Sequence, residues 1–322
     1  MSLDEIYPRT LSEFDRFFPD EEECARYLVQ IRWPDGFICP KCEGKSYWLL
    51  KSGLLECSKC GRQTSVTSGT VLHGTRKPLK DWLRAIWWIA TQKTGGSAKG
   101  LKRILGFGSY QTAWAWLQKL KRGMVCPGRE LLQGPVEVDY AFIGGKEAGV
   151  KGRQSFKKAR IVVGVEVKGL ERKITGRARV RHVKDFSADS LVPFVVENVV
   201  TGSNVITDGW SGYKALRERG FLHEVRVTRR KIPGTDDLLP NVHRVVALLK
   251  RWLLGTHHGA VQPKHLQHYL DEFTFRHNRR KSRHVGKIFY RLLQGVCETT
   301  PESYWKLIGR EAPDQPLHIV GP

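Results

Sequence analysis

The spacing of apolar residues changes once along the chain, from a helical period to an alternating one. Before about residue 130, apolar side chains recur every three or four positions, which predicts amphipathic helices in 10–31, where the helix is entered at Pro19-Asp20, and over 78–92. In the second of these, Trp82, Ile86 and Ile89 fall on one stripe. From about residue 135, apolar and polar residues alternate, as they do in strands. A helical N-terminal part is therefore expected to precede a mixed α/β domain.

The alternating part of the chain predicts a sheet with helices around it. The expected strands are 136–144, 159–169, 176–183 and 204–209. A helix is expected at 187–200, and the helical period returns from about 240 to 277. Residues 229–237 and 305–322 show neither period, so they are expected to be loop and tail.

Two CxxC pairs lie in a short segment, 32–75, that is rich in Gly, Ser and Thr. The four cysteines are Cys39, Cys42, Cys57 and Cys60. Thiolates at this spacing can close a tetrahedral zinc site, and a segment of about 45 residues buries too little core to fold without metal. Because four protein ligands leave no open position, the zinc is expected to be structural. Two redox-active pairs are the alternative.

A pair of short helices is predicted between residues 97 and 122. Ser97 is a suitable N-cap for a helix that ends at Leu105, and a glycine-containing turn, 106–109, separates it from a helix over 111–122. This arrangement on a basic background suits a helix-turn-helix that reads the DNA major groove. The residues expected at the start of the recognition helix are Tyr110, Gln111 and Thr112. An ordinary helical hairpin is the alternative.

The charge of the chain favours a polyanionic partner. Its 54 Lys and Arg against 32 Asp and Glu give a net charge of +22, which points to nucleic acid rather than to a generically basic protein. No apolar run approaches the roughly 20 residues of a membrane span, and the N-terminus does not resemble a signal peptide. Cysteines at metal spacing indicate a reducing compartment, so a cytoplasmic protein without a membrane partner is expected.

Two aspartates end apolar strands of the predicted sheet. Asp139 ends the segment VEVD, and Asp208 ends VITD and is followed by Gly209. Carboxylates from strands that neighbour each other in a mixed sheet can bind two Mg²⁺ ions about 4 Å apart, as in metal-assisted phosphoryl transfer. Each aspartate alone could equally be a turn or capping residue, but two of them on a chain with DNA-binding motifs favour the metal site.

The order of these motifs resembles a known family. A zinc ribbon and a helix-turn-helix precede VEVDYAFIGG, ITDGWSGY and the segment YLDEFTFRHNRR. Over residues 20–295 the chain looks like the bacterial insertion-sequence transposases of the DDE type, which join a zinc ribbon to a ribonuclease-H-like catalytic domain. The resemblance implies that Asp139 and Asp208 are the first two catalytic residues.

The third catalytic position departs from the acid or asparagine that this resemblance implies. In that family the third catalytic residue usually lies on a helix about 35 residues after the second aspartate, and a Lys or Arg follows it by seven residues. His243 and Lys250 stand at these positions, and two helical turns put them on one face. Imidazole is softer than carboxylate and suits Mn²⁺ at least as well as Mg²⁺. Asn241 is the rival third ligand, and Glu272 is a fallback that is expected to pair with Arg276.

A basic cluster near the C-terminus completes the expected DNA-binding residues. Its first members are Arg276, Arg279 and Arg280, and no acid occurs between 276 and 287. Such a cluster would contact phosphates, or it could be a solvated face of the chain.

These features together predict a multidomain DNA transposase. The expected parts are an N-terminal helical segment (1–31), a zinc ribbon (32–75), a helix-turn-helix unit (76–130), a ribonuclease-H-like domain (131–300) and a tail (301–322). The protein would bind the inverted repeats at the ends of its element, cut the 3′ ends with Mg²⁺ or Mn²⁺ and transfer them to target DNA, as a dimer or larger assembly. A DNA-binding regulator with an inactive transposase fold and a branched-DNA nuclease are the alternatives.

Overall fold

The computed structural model describes residues 6–126, 128–145, 158–169, 174–227, 237–258 and 261–310. It divides into two compact units, one of residues 1–127 with 282–322 and one of residues 128–281. The expected catalytic domain, 131–300, extends past the second unit, because the helix Val285–Glu298 packs with helices of the first. No helix within the described ranges combines the length and the apolarity that a membrane crossing requires.

The first unit contains helices and one small sheet. Its elements are α1 (Leu11–Phe17), α2 (Glu21–Arg32), β1 (Tyr47–Leu49), β2 (Leu54–Cys57), β3 (Gln63–Ser65), α3 (Leu79–Thr91), α4 (Ala98–Leu105), α5 (Tyr110–Arg122) and, from the C-terminal segment, Val285–Glu298 and Tyr304–Leu307. The three strands form an antiparallel sheet in the order β1-β2-β3. The short helix at Tyr304 lies in the expected tail, and residues 311–322 of that tail are outside the described residues.

Helix boundaries in this unit follow the capping residues. The helix predicted in 10–31 is entered at Pro19-Asp20 as expected, because the Oδ1 atom of Asp20 accepts a hydrogen bond from Glu23 N (2.9 Å) and caps α2. Residues Leu11–Phe17 ahead of it form the separate helix α1. Helix α3 buries the predicted apolar stripe, and its Trp82 stacks on Trp116 of α5 with ring centroids 3.4 Å apart. The aromatic stack joins α3 to α5 in one core.

The second unit is a mixed five-stranded sheet covered by helices. Its elements are β4 (Val136–Ile143), β5 (Ala159–Lys168), β6 (Ile174–Val183), α6 (Ala188–Asn198), β7 (Asn204–Thr207), β8 (Leu222–Val225), α7 (Pro240–His257) and α8 (Leu266–Asn278). The C-terminal helices of the first unit are accordingly α9 (Val285–Glu298) and α10 (Tyr304–Leu307). The strand order is β6-β5-β4-β7-β8.

The two faces of this sheet bury different helices. Val136 and Val138 of β4 point to a core that also contains α6 and the 3-10 helix Ser211–Leu216. The opposite face packs Ile161 and Val163 of β5 against α7 and α8. Since successive side chains of a strand point to opposite faces, Glu137 and Asp139 lie on the side of α7. The sheet is therefore the middle one of three layers, in agreement with the predicted mixed α/β fold.

Candidate metal centres and catalytic site

The four cysteines of the two CxxC pairs converge on one point of the first unit. The Sγ atoms of Cys39 and Cys60 are 3.7 Å apart, those of Cys42 and Cys57 are 3.6 Å apart, and all four lie within 4.8 Å of one another. Zinc–sulfur bonds of roughly 2.3 Å place tetrahedral sulfurs about 3.8 Å apart. The cysteines therefore have the spacing of a structural zinc site, as the sequence predicts.

Neighbouring groups shift the pKa values of two of these thiols in opposite directions. Lys41 N lies 3.5 Å from Cys39 Sγ, and this N–H group, with further hydrogen bonds from the cluster, lowers the pKa of the Cys39 thiol to about 6. The Gly44 N–H group lowers the pKa of Cys42, but the neighbouring thiols and burial outweigh it and raise that pKa to about 12. A Cβ atom at Gly44 would come within 3.1 Å of Cys57 Sγ, so a residue without a side chain suits this turn. Cys24 lies in the core instead, where burial raises the pKa of its thiol to about 12.

The two aspartates stand at matching positions of neighbouring parallel strands, but only Asp208 directly follows its strand, β7. Asp139 lies within β4 and does not end it as expected, because β4 stays paired with β5 as far as Ile143. Val136 of β4 pairs with Val205 of β7, and Asp139 and Asp208 each follow three residues later. The Oδ1 atom of Asp139 accepts a hydrogen bond from Tyr140 N (2.7 Å), and that of Asp208 accepts one from Trp210 N (3.0 Å). Because the strands are parallel, both aspartates lie just beyond the same end of the segment in which β4 and β7 are paired.

A buried tyrosine lies close enough to both carboxylates for their charges to affect its pKa. Tyr213 is fully buried in the core on the α6 side, and its hydroxyl has no hydrogen-bond partner among the described residues. Burial first, and then the negative charges of Asp139 and Asp208, raise the pKa of Tyr213 well above its usual value. Tyr213 therefore lies near the two aspartates, in the core on the α6 side of the sheet.

His243, in the first turn of α7, contacts the first aspartate. Its Nε2 atom is 3.3 Å from Asp139 Oδ2, and its Nδ1 atom is 2.6 Å from Asp237 Oδ1. The hydrogen bond with Asp139 raises the pKa of His243 to about 9, against the opposing effect of burial, and Asp237 adds to the rise. Lys250 is exposed two turns further along the same helix.

The rival third ligand, Asn241, is engaged within the core. It is fully buried; its Nδ2 atom donates to Glu137 Oε1 (2.9 Å), and its Oδ1 atom accepts from the Thr175 hydroxyl (3.2 Å). Glu272, the fallback, is buried and pairs with Arg276 at 2.8 Å, as expected from their spacing. Of the three candidates, His243 is the one for which the structure has a direct contact with Asp139.

The predicted recognition residues begin α5 on the protein surface. The Ser109 hydroxyl oxygen caps this helix by accepting hydrogen bonds from Gln111 N (3.1 Å) and Thr112 N (3.4 Å). Tyr110 is exposed, and so is Gln111, whose Oε1 atom accepts from the Ser109 hydroxyl. The preceding helix α4 ends at Gly106, which has a positive φ of 64°. Two helices joined by a tight turn are present as predicted.

The predicted arginine cluster has contacts within the second unit. Arg276 pairs with Glu272, and the Arg279 guanidinium group lies 3.9 Å above the Phe275 ring. Arg280 donates hydrogen bonds to the backbone carbonyls of His277 (2.7 Å) and Thr175. These arginines thus hold α8 and its C-terminal turn in place, and only their outer edges could meet a phosphate.

Sequence reasoning missed two acidic residues of this site. Glu137 is a fully buried acid within an apolar strand, and that position alone could have marked it as a residue with a partner. Asp237 falls in the segment predicted as loop, where only the folded chain brings it to His243. Among the described residues, the cysteine cluster is the one group of three or more His, Cys, Asp or Glu residues whose ligand atoms converge. His243 meets Asp139, but Asp139, Asp208 and His243 do not form such a group.

Two family models match separate segments of the chain. The model of an ISXO2-like transposase domain matches residues 131–278, and that of a transposase zinc-ribbon domain matches residues 19–63. The chain belongs to the insertion-sequence transposases. The second match includes α2 together with the cysteine cluster, and the first contains Asp139, Asp208 and His243.

A relative of this transposase supports the same assignment. The chain is similar to an uncharacterized protein in the transposable element ISH50 of Halobacterium salinarum. The two are 28% identical over 279 residues, which are 80% of this chain and 91% of the relative. Because the relative comes from an archaeon, the similarity extends beyond the bacterial proteins that the sequence resembles.

Proposed function

We propose that this transposase cuts the 3′ ends of its element and joins them to target DNA, with Asp139, Asp208 and His243 holding Mg²⁺ or Mn²⁺. The contact of 3.3 Å between His243 and Asp139 carries the proposal, since it brings an imidazole nitrogen to a carboxylate at the end of the β4–β7 pairing where Asp208 also lies. Carboxylate oxygens suit Mg²⁺ and Mn²⁺, and imidazole suits Mn²⁺.

Each residue of the site has a separate task in this reaction. When bound, divalent ions supply activation of the attacking oxygen and stabilisation of the leaving oxygen. The two aspartates provide the negative charge that attracts the ions. His243, whose pKa is raised to about 9 while it pairs with Asp139 and Asp237, would give up a proton to bind a metal ion. Lys250 would contact a DNA phosphate or the charge that develops on it. DNA is cut and joined directly, without a covalent link to the protein.

Binding of the element ends is assigned to other residues. Tyr110, Gln111 and Thr112 would read base edges from the start of α5, and the zinc ribbon would add contacts. The outer edges of Arg276, Arg279 and Arg280 would contact phosphates. Since transposition joins two ends, we propose a dimer or a larger assembly on DNA.

The proposal is tested by separating cleavage from binding. Asp139→Ala and Asp208→Ala should abolish cleavage and joining of end DNA in Mg²⁺ or Mn²⁺, while the affinity for that DNA stays within about threefold of wild type. Asp189→Ala, which removes an exposed acid of α6, is the matched control and should remain active. Equal loss of binding and cleavage would make the aspartates structural. DNA binding without cleavage by the wild type would favour a regulator.

A further inference from the structure

Glu137 makes three hydrogen bonds to the start of α7. It is fully buried on β4, and its Oε2 atom accepts from the backbone N–H groups of Asn241 (2.8 Å) and Val242 (3.0 Å). Its Oε1 atom accepts from Asn241 Nδ2 (2.9 Å). The first N–H groups of a helix lack partners within the helix and carry partial positive charge, so a carboxylate suits this position.

The hydrogen bonds continue through Asn241 to a third element. The Thr175 hydroxyl, on β6, donates to Asn241 Oδ1 (3.2 Å), so that β6, α7 and β4 are linked in that order. All three side chains are buried. Buried polar groups with complete hydrogen bonding hold one arrangement, because any shift would leave a donor or an acceptor unsatisfied.

This network lies directly behind the candidate metal site. Glu137 precedes Asp139 by two residues and therefore points to the same face of the sheet. His243 follows Asn241 by two residues in the first turn of α7. A shift of α7 along β4 would thus break the hydrogen bonds of Glu137 and, at the same time, separate His243 from Asp139.

We propose that Glu137 is a positioning residue of the metal site, which sets the distance between Asp139 and His243 by fixing the start of α7 on β4. The inference rests on the proposed function, since it takes these two residues as metal ligands. Glu137 acts through Asn241 and Val242 and does not touch DNA or metal.

Mn²⁺ affinity of the full chain, measured by titration calorimetry without DNA, tests this role. In Glu137→Gln the carbonyl oxygen can still accept the two backbone N–H groups, but the new amide donates, so the side chain of Asn241 must turn over, and the negative charge at the start of α7 is lost. We expect Mn²⁺ to bind at least about tenfold more weakly, the effect typical of residues that orient metal ligands.

A reciprocal exchange distinguishes positioning from general destabilisation. In Glu137→Gln with Asn241→Asp, the new amide donates to the new carboxylate, which also accepts from Thr175, so every hydrogen bond is restored. We expect Mn²⁺ affinity to return to within about threefold of wild type. Wild-type affinity in Glu137→Gln, or no recovery in the double variant, would overturn the inference.

Two further variants make the result unambiguous. Wild-type Mn²⁺ affinity in Asp139→Ala would refute the metal site itself, and the inference with it, whereas wild-type affinity in Glu137→Gln alone refutes only the inference. If circular dichroism shows that Glu137→Gln does not fold, Thr175→Val tests the inference in its place. It removes one outer hydrogen bond and should weaken Mn²⁺ binding about threefold; an unchanged affinity would overturn the inference.

Discussion

Among single residues, the candidate catalytic site depends on which side chains of α7 point to the sheet and which point to solvent. Asn241 and His243 are two positions apart, which is about 200° around a helix. One is therefore buried against Glu137, and the other is half exposed beside Asp139. Asn241 and His243, the two candidates for the third ligand, thus have different surroundings. Substitution of each is therefore expected to change a different property of the protein.

Substitutions at these two positions should affect different properties. His243→Ala should weaken Mn²⁺ binding at least about tenfold, with little change in the melting temperature, because it removes a half-exposed ligand. Asn241→Ala should lower the free energy of unfolding by about 2 kcal/mol, because Glu137 and Thr175 both lose a hydrogen-bond partner inside the core. Titration calorimetry and thermal unfolding measure the two effects. Wild-type Mn²⁺ affinity in His243→Ala would exclude His243 as a ligand.

At the scale of elements, the zinc ribbon depends on its metal more than any other part does. Its strands β1, β2 and β3 have only three, four and three residues. Such short strands bury little apolar surface, so the free energy of zinc binding is needed to hold them. By contrast, α2 and α3 pack on each other and on α9 through buried side chains. Loss of zinc should therefore affect the ribbon locally.

Cys42→Ser is expected to remove the zinc and loosen the ribbon. Purified wild type should contain one equivalent of zinc, and the variant less than about a third of that, because three thiolates bind zinc less tightly. Amide hydrogen exchange of Leu54–Cys57 should become faster, whereas exchange in the five-stranded sheet should not change. Cys24→Ala, which alters a buried cysteine outside the cluster, is the control and should retain its zinc. Full zinc content in Cys42→Ser would contradict the four-cysteine site.

At the scale of the whole molecule, the net charge of +22 should dominate the approach to DNA. Lysines and arginines that neutralise phosphates release counterions, and this release makes binding depend strongly on salt. Several of the arginines also hold the fold, as Arg276 and Arg280 do, so fewer phosphate contacts are expected than the number of basic residues suggests.

Affinity for element-end DNA should fall by at least about 100-fold between roughly 50 and 200 mM salt, which corresponds to several phosphate contacts. Fluorescence anisotropy with labelled end DNA measures this dependence. Asp139→Ala should show the same slope, because the site residues are assigned to catalysis and not to binding. An affinity that does not change over this range would contradict the interpretation of the charge.

Local features of this protein could be read from the sequence because they depend on neighbouring residues. The spacing of Cys39 and Cys42 predicts a zinc ligand pair, and the alternation around Asp139 predicts the strand β4, although not that β4 continues past this acid to Ile143. Ser97 predicts the start of α4, since a cap bonds to N–H groups only two or three residues away. The composition of these short segments was sufficient for each prediction.

Other features were decided only by the tertiary structure, because they join residues far apart in the chain. Glu137 meets Asn241 across more than 100 residues, through a sheet register and a helix position that no local pattern specifies. The same is true of α9, which packs with α2 and α3 although it follows the catalytic unit in sequence. The residue types and their spacing were enough to name candidate metal ligands, whereas packing and hydrogen bonding place His243 beside Asp139 and Asn241 in the core.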